Sequence, residues 1–282
     1  MMDEEFLSSL PSLSSLIKAN QFHFKKHLGQ HFLTDRHILE KIVCSAGPLD
    51  NQHVLEVGPG IGSLTRYILA HGASHVTALD MDSHCISILN DIMVPVSEGR
   101  LRILHQDALS YDIPSHLSSD LVVIANLPYH ISATLLIKWL SYASYFKTMV
   151  LMFQREVAER IMARPSTKAY GLLSVLAQYY MDVTHITHLA PTLFIPPPKV
   201  DSTVLLFRPK ELSENHISYA CLLRLLKSLF PYRRKTLRAI FKQIGWDPLW
   251  ILDANIDPMT RPDALCIDEY VQLCHIFNHM KD

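Results

Sequence analysis

Four consecutive residues, Asn126-Leu127-Pro128-Tyr129, follow an apolar run from Leu121 to Ala125. They combine an amide, a proline-stiffened backbone and an aromatic ring, which suits the handling of an exocyclic amine on an aromatic base. Such an amine is a poor nucleophile because its lone pair is delocalised into the ring. Two acceptors on its hydrogens, the Asn126 side-chain oxygen and the Leu127 carbonyl, would favour a pyramidal nitrogen and localise that pair. Pro128 stiffens the backbone that aims them. Tyr129 offers a face on which an extruded base can stack, worth about 1–3 kcal/mol. Alone, the tetrapeptide is also good turn chemistry at the end of a strand, so its meaning depends on what precedes it.

Upstream, Val54-Leu55-Glu56-Val57 runs into Gly58-Pro59-Gly60-Ile61-Gly62. Glycines at such a turn let the backbone approach a ligand where a Cβ would collide. The dinucleotide fingerprint G-x-G-x-x-G fails at Ser63, and a plain strand-to-helix turn would also use these residues. Two acids sharpen the reading. Asp80 ends the next apolar run about twenty residues on, where a carboxylate can accept from both hydroxyls of a ribose. Asp107 ends the one after, where it can accept from an adenine amine while the Ala108 N–H meets a ring nitrogen. An isolated strand-end Asp is usually a cap. Two in register with a glycine turn favour a nucleoside pocket.

Placing these residues together requires an α/β fold. Short apolar strands are expected at Val54–Val57, Val76–Leu79, Leu101–Leu104, Leu121–Ala125 and Thr148–Phe153. Helices are expected at Leu64–Ala70, Cys85–Met93 and Ala133–Leu140, with an amphipathic N-terminal helix over Leu7–Ala19. Strands alternating with helices imply a parallel sheet covered on both faces, with ligands beyond the strands' carboxyl ends. After Pro209 the chain reads almost wholly as helices, with turn signals at Gly245, Pro248 and Pro258. Residues 1–210 are thus expected to form the catalytic domain, and 211–282 a helical one.

The chain has 282 residues and a net charge of −1, so a polyanion would have to be held by local patches. One candidate is Arg233, Arg234, Lys235, Arg238 and Lys242 after Pro231. With Pro231 at a helix start, 234, 238 and 242 would share a face; a solvated face is the plain alternative. Five scattered cysteines without a C-x-x-C pair argue against disulfides or structural zinc and fit a reducing cytoplasm. His275 and His279 could share a helix face, but no third ligand lies at a recognisable spacing, and no metal is expected. No apolar run is long enough to span a bilayer, and the acidic N-terminus is unlike a signal peptide or presequence.

The strand, glycine and acid arrangement resembles the class I S-adenosylmethionine-dependent methyltransferases, a Rossmann-like fold. In them Glu56 would lie near the cationic methionine end or orient the glycine loop; a bracing carboxylate is the alternative. The likeness narrows to the bacterial small-subunit ribosomal RNA adenine dimethyltransferases (the KsgA/RsmA family), from about Lys25 to Phe277. Lys25-Lys26-His27-Leu28-Gly29-Gln30-His31-Phe32-Leu33 resembles the family's K-x-x-G-Q-[NH]-F-L segment, which closes over the methionine end. Further matches are Gln154-Arg155-Glu156-Val157-Ala158-Glu159-Arg160, the segment from Ala169 to Val175, and Phe194-x-Pro196-Pro197-Pro198-Lys199-Val200-Asp201-Ser202.

The resemblance implies cofactor contacts at His31, Leu33, Gly58, Asp80, Asp107 and Asn126, with Asp80 where relatives often carry Glu. It implies a target base held by Asn126, Leu127, Pro128 and Tyr129, with Phe194 on its opposite face. RNA contact falls to Arg233, Arg234, Lys235 and Arg238, with Lys25, Lys26, Arg155, Arg160 and Arg164 as a possible basic rim. The implied activity uses S-adenosyl-L-methionine to dimethylate N6 of two adjacent adenosines in the 3′-terminal hairpin loop of 16S ribosomal RNA. The implied partner is the 30S subunit or its precursor, in the cytoplasm, with nothing demanding more than a monomer. Rival readings are a large-subunit dimethyltransferase and a ribosome-assembly factor whose catalysis is dispensable.

Overall fold

The structure is a computed structural model that describes residues 2–20, 22, 24–25, 28–117, 119–212 and 216–279, without the side chains of 114, 115, 278 and 279. Its strands are β1 (Phe32–Leu33), β2 (His53–Val57), β3 (His75–Asp80), β4 (Leu101–His105), β5 (Leu121–Asn126), β6 (Phe146–Gln154), β7 (Met181–Leu189), β8 (Phe194–Ile195) and β9 (Ser202–Pro209). The chain divides into two units. The first comprises Met1–Lys138, Ser144–Ala158 and Val183–Pro209; the second comprises Trp139–Ala143, Glu159–Asp182 and Lys210–Asp282.

In the first unit, seven strands form one sheet in the order β4-β3-β2-β5-β6-β9-β7. β4, β3, β2, β5 and β6 run parallel, and β9 is antiparallel to β6. Val54, Leu55, Val122, Val123 and Ile124 are all at most 1% exposed. That is the continuous apolar run of strands covered on both faces, where alternation would mark a half-open sheet. All five expected strands are present, extended by one to three residues. β7 and β9 were not foreseen. The core run Val204-Leu205-Leu206-Phe207 of β9 directly follows the proline-rich segment, whose motif drew attention to its loop character instead.

The expected helix Leu7–Ala19 is two helices, Glu4–Ser9 and Leu13–Ala19. Pro11 is the reason: it disfavours helical geometry at the residue before it, and Leu10 is extended (φ −92°, ψ 142°). Ser12 then caps the second helix by accepting from the Ser15 N–H at 3.1 Å. The helices Ser63–Ala70 and Ser83–Ile92 follow β2 and β3 directly.

The second unit is helical around a core that includes Tyr170, Leu222, Phe241 and Tyr270, each fully buried. Its helices include Leu172–Tyr180, Tyr219–Leu229, Leu237–Ile244 and Ile267–His279. The chain crosses into this unit for the last time at Lys210. Glu159–Asp182 also belongs to it, through internal ties such as the Tyr170 hydroxyl donating to the Leu265 carbonyl at 3.0 Å. A change of texture along the chain cannot reveal a segment that joins a unit from earlier in the sequence.

Candidate active site

The sheet order reverses around β2, with β3 on one side and β5 on the other. Crossovers on either side of such a point leave a crevice beyond the carboxyl ends of the strands. A cleft of about 350 Å³ lies there, within the size range of small-molecule sites. Six of the residues singled out in the sequence line it together: His31, Gly58, Asp80, Asp107, Asn126 and Pro128.

The turn after β2 forms one wall. Gly58 has φ 71°, and a Cβ there would stand 3.7 Å from the Pro128 ring, so the turns after β2 and β5 lie side by side. Gly60 has φ 56°, and a Cβ there would lie 2.5 Å from the Phe32 ring. Only glycine satisfies both the left-handed backbone and that approach. Glu56 does not reach the cleft. It is 1% exposed and accepts from the Thr65 hydroxyl at 2.7 Å, which fastens β2 to the helix Ser63–Ala70. Of the roles considered for it, bracing is what its position serves, and burial pushes its carboxyl up to about 8.

The two strand-end acids differ in their bonding. Asp80 accepts from the Gly60 N–H at 3.1 Å and the Asp82 N–H at 2.8 Å, one on each oxygen. Burial raises its pKa, partly offset by these bonds. Each oxygen keeps a lone pair, so the carboxylate can hold the glycine turn and still accept from a ligand. Asp107 accepts from the Leu109 N–H at 2.9 Å, closing the turn that carries Ala108 into the cleft wall. Met81 and Gln106, neighbours of these acids in sequence, also line the cleft. Sequence reasoning passed over them, although their places beside strand-end acids were a usable signal.

The N-terminal segment covers the cleft and is fastened on two sides. On one, the Asn126 side-chain amide donates to the His31 carbonyl at 3.0 Å. With its nitrogen so engaged, Asn126 keeps its side-chain oxygen as an acceptor. On the other, Lys25 Nζ and Gln30 Nε2 each donate to one oxygen of Asp82 at 2.6 Å, and Gln30 Oε1 accepts from the Lys25 N–H at 2.7 Å. Asp82 is 1% exposed and also caps the helix Ser83–Ile92. Burial alone would raise its carboxyl, but the bonds from Lys25, Gln30 and the His84 N–H bring it below the usual range. Gln30 and Asp82 meet across 52 residues of sequence, a partnership that no spacing announced.

Around Asn126 the remaining residues divide. The His31 ring lies nearly parallel to Tyr129, with centroids 5.9 Å apart, and its Nδ1 donates to the Pro196 carbonyl at 2.7 Å. The Tyr129 hydroxyl and the Ser202 hydroxyl share a hydrogen bond of 2.6 Å. Leu33, Leu127 and Phe194 are core residues, each at most 2% exposed. Leu33 and Phe194 are paired between β1 and β8. The Phe194 ring therefore faces the core in this conformation and presents no surface to a base.

The basic run lies in the second unit and does not form the expected three-residue helical stripe. Pro231 sits inside a single 3₁₀ turn (Phe230–Tyr232), and the helix starts only at Leu237, capped by Thr236. Arg238 and Lys242 share that exposed helix face, while Arg234 precedes the helix. Arg234, Lys235 and Arg238 are exposed; Arg233 donates to the Lys168 carbonyl at 3.0 Å. Of the proposed rim in the first unit, Lys25 is paired with Asp82 and Arg155 with Asp201 (3.7 Å), and Lys26 lies outside the described residues. No described helix is long and apolar enough to cross a membrane.

Comparison with known proteins agrees with this geometry. The family model described as "Ribosomal RNA adenine dimethylase" matches residues 21–279. A protein of Azorhizobium caulinodans named "Ribosomal RNA small subunit methyltransferase A" is 39% identical over 280 residues, covering 98% of this chain and 96% of its own. A dimethyladenosine transferase from Plasmodium falciparum superposes with a TM-score of 0.73 at 30% identity, covering 88% of this chain and 98% of its own. The 23S rRNA methyltransferase ErmE shares the fold, with a TM-score of 0.64 at 20% identity, covering 88% of this chain and 99% of its own.

Proposed function

Since the chain belongs to the ribosomal RNA adenine dimethylase family, we propose that it dimethylates N6 of two adjacent adenosines in the 3′-terminal hairpin loop of 16S ribosomal RNA. The methyl donor in this reading is S-adenosyl-L-methionine, and the substrate is the 30S subunit or its precursor in the cytoplasm. The observation that carries the proposal is the Asn126 amide in the cleft lining, committed through its nitrogen to His31, with its oxygen left as an acceptor among the described residues.

The residues present fit the donor. Gly58 and Gly60 line the cleft with backbone at positive φ, so the turn after β2 offers its main chain to a ligand there. Asp80 has accepting capacity for ribose hydroxyls. Asp107 and the Ala108 N–H match the acceptor and donor pattern of an adenine edge. His31 closes the methionine end, while Leu33 supports it from the core through its pairing with Phe194. When bound, the cofactor supplies an electrophilic methyl carbon on a sulfonium that departs as a neutral thioether.

Asn126 Oδ1 and the Leu127 carbonyl accept the two amine hydrogens, which localises the nitrogen lone pair and stabilises the positive charge that nitrogen acquires. Pro128, held against Gly58, fixes the position of both acceptors relative to the cofactor wall. The product nitrogen releases a proton to solvent, so no strong base is required, and catalysis is mainly positioning. After one transfer a single N–H remains, and either acceptor can hold it for the second. Tyr129, oriented by Ser202 and flanked by His31, stacks the extruded base. Arg234, Lys235 and Arg238 contact phosphates, with Arg233 fixing the loop that presents them.

The test is methyl transfer to unmethylated small subunits, followed by mass analysis of the modified nucleosides. Dimethyladenosine in the small-subunit RNA supports the proposal. Transfer confined to large subunits would refute it.

A further inference from the structure

The side of the first unit away from the cleft holds a second group of chemically matched residues. Glu40 and Cys44 stand four apart on the helix Arg36–Ser45, on one face. His71 directly follows the helix Ser63–Ala70. Their ligand atoms, one carboxylate oxygen, one sulfur and one imidazole nitrogen, all lie within 4.8 Å of one another. Cys44 Sγ and His71 Nε2 are 3.8 Å apart. In a tetrahedral zinc site, bonds of about 2.3 Å to sulfur and 2.0–2.1 Å to nitrogen hold those atoms roughly 3.6 Å apart. The observed separation is within a small side-chain rotation of that value.

We propose that Glu40, Cys44 and His71 bind one zinc-class divalent ion, with a water as the fourth ligand. The ligand types point to this metal class: a thiolate and an imidazole favour zinc over magnesium or calcium, which prefer all-oxygen shells. The backbone that carries His71 is held in place, since its N–H donates to the Tyr67 carbonyl at 2.9 Å and the Gly72 N–H donates to Leu69 at 3.1 Å. Glu40 and His71 are half-buried, and burial lowers the His71 pKa, which keeps its ring available as a neutral ligand. Burial raises the Cys44 pKa, so the thiol binds by losing its proton to solvent as the sulfur–metal bond forms.

The ion would act as a structural clip and take no part in methyl transfer. The helix Ser63–Ala70 starts at the glycine turn in the cleft, and its eight residues carry His71 about 12 Å along the axis from that end. Bound there, the metal joins the C-terminal ends of two helices that cover the same sheet. The ligands come from tertiary packing across 27 residues, which explains why spacing along the chain gave no hint of it.

Cobalt titration of the full-length protein tests the proposal. One equivalent of Co²⁺ is expected to give a near-ultraviolet thiolate charge-transfer band and intense tetrahedral visible bands, both displaced by Zn²⁺. Cys44→Ser should abolish the charge-transfer band, and His71→Ala should weaken binding at least about tenfold. Cys266→Ser, at another exposed cysteine, should leave both unchanged. Zinc should raise the melting temperature of the wild type and not of Cys44→Ser. Methyl transfer by Cys44→Ser should equal that of the wild type. The proposal fails if no thiolate band appears, or if the band persists in Cys44→Ser.

Discussion

The side-chain amide of Asn126 is hydrogen-bonded to the main-chain carbonyl of His31 at 3.0 Å, across 95 residues of sequence. The end of β5 and the segment that covers the cleft are therefore coupled. A group assigned to hold the target amine also holds the cover over the cofactor site. Changes at either residue are expected to be felt at the other.

The Asp82 latch is the second anchor of that cover. Lys25 is partly exposed, so Lys25→Met should weaken cofactor binding only about two- to fivefold. Gln30→Ala, which removes bonds to both Asp82 and the Lys25 backbone, should weaken it more. The Asp82 carboxyl is depressed in the folded chain, so its contribution is complete above the unfolded value near 4 and fades as pH falls through its lower folded value. Cofactor affinity measured calorimetrically should show no latch-dependent change from pH 5 to 8. A wild-type affinity gain over Gln30→Ala that vanishes within that window would contradict the arrangement.

Glu56 should make stability depend on pH in the opposite sense. Below about pH 4.5 the carboxyl is protonated in both folded and unfolded chains. Above it the unfolded chain ionises, while the folded one keeps its proton until about pH 8, so this group's contribution falls through that window. Urea unfolding of Glu56→Gln against wild type should show the variant gaining a few kcal/mol between pH 5 and pH 8. An equal difference at both values would show that Glu56 is ionised when buried.

Gly60→Ala combines an unfavourable positive φ with a clash against Phe32. It should destabilise the fold by about 1–3 kcal/mol and weaken cofactor binding. Phe32→Leu in the same chain should recover part of the loss, because it relieves the clash and leaves the φ cost. Strictly additive stability changes would mean that the two residues do not meet.

For the second unit, Arg234→Ala and Arg238→Ala should each weaken RNA binding without regard to sequence and lower the salt dependence by about one phosphate contact. Arg233→Ala should lower stability as well, since its guanidinium holds the Lys168 carbonyl. Salt-titrated binding to small-subunit RNA checks both. An unchanged slope for Arg234→Ala and Arg238→Ala would return them to an ordinary solvated surface.

The parallel strands and the residues at their ends were legible because their signals are local: a buried run, a glycine turn, an acid at each exit. Asp80, Asp107 and Asn126 came together in one cleft because strand order and register place them there. What was not legible depends on distant partners. Gln30 meets Asp82 across 52 residues, and Cys44 meets His71 across 27, through the tertiary fold. Phe194 illustrates the limit of a motif. Its place in the proline-rich segment suggested a wall of the base pocket, whereas pairing with Leu33 buries it. The basic stripe failed for a local reason: the helix expected to start at Pro231 starts instead after the Thr236 cap, which leaves Arg234 outside it.

The most direct measurement is single-turnover methyl transfer by Asn126→Ala on unmethylated small subunits, with cofactor affinity determined on the same protein. Losing a positioned acceptor should lower the transfer rate by about 10²–10³-fold. Cofactor affinity should fall less than tenfold, the share owed to the lost His31 tether. A rate close to wild type would contradict the assignment of Asn126 as the group that holds the reacting amine.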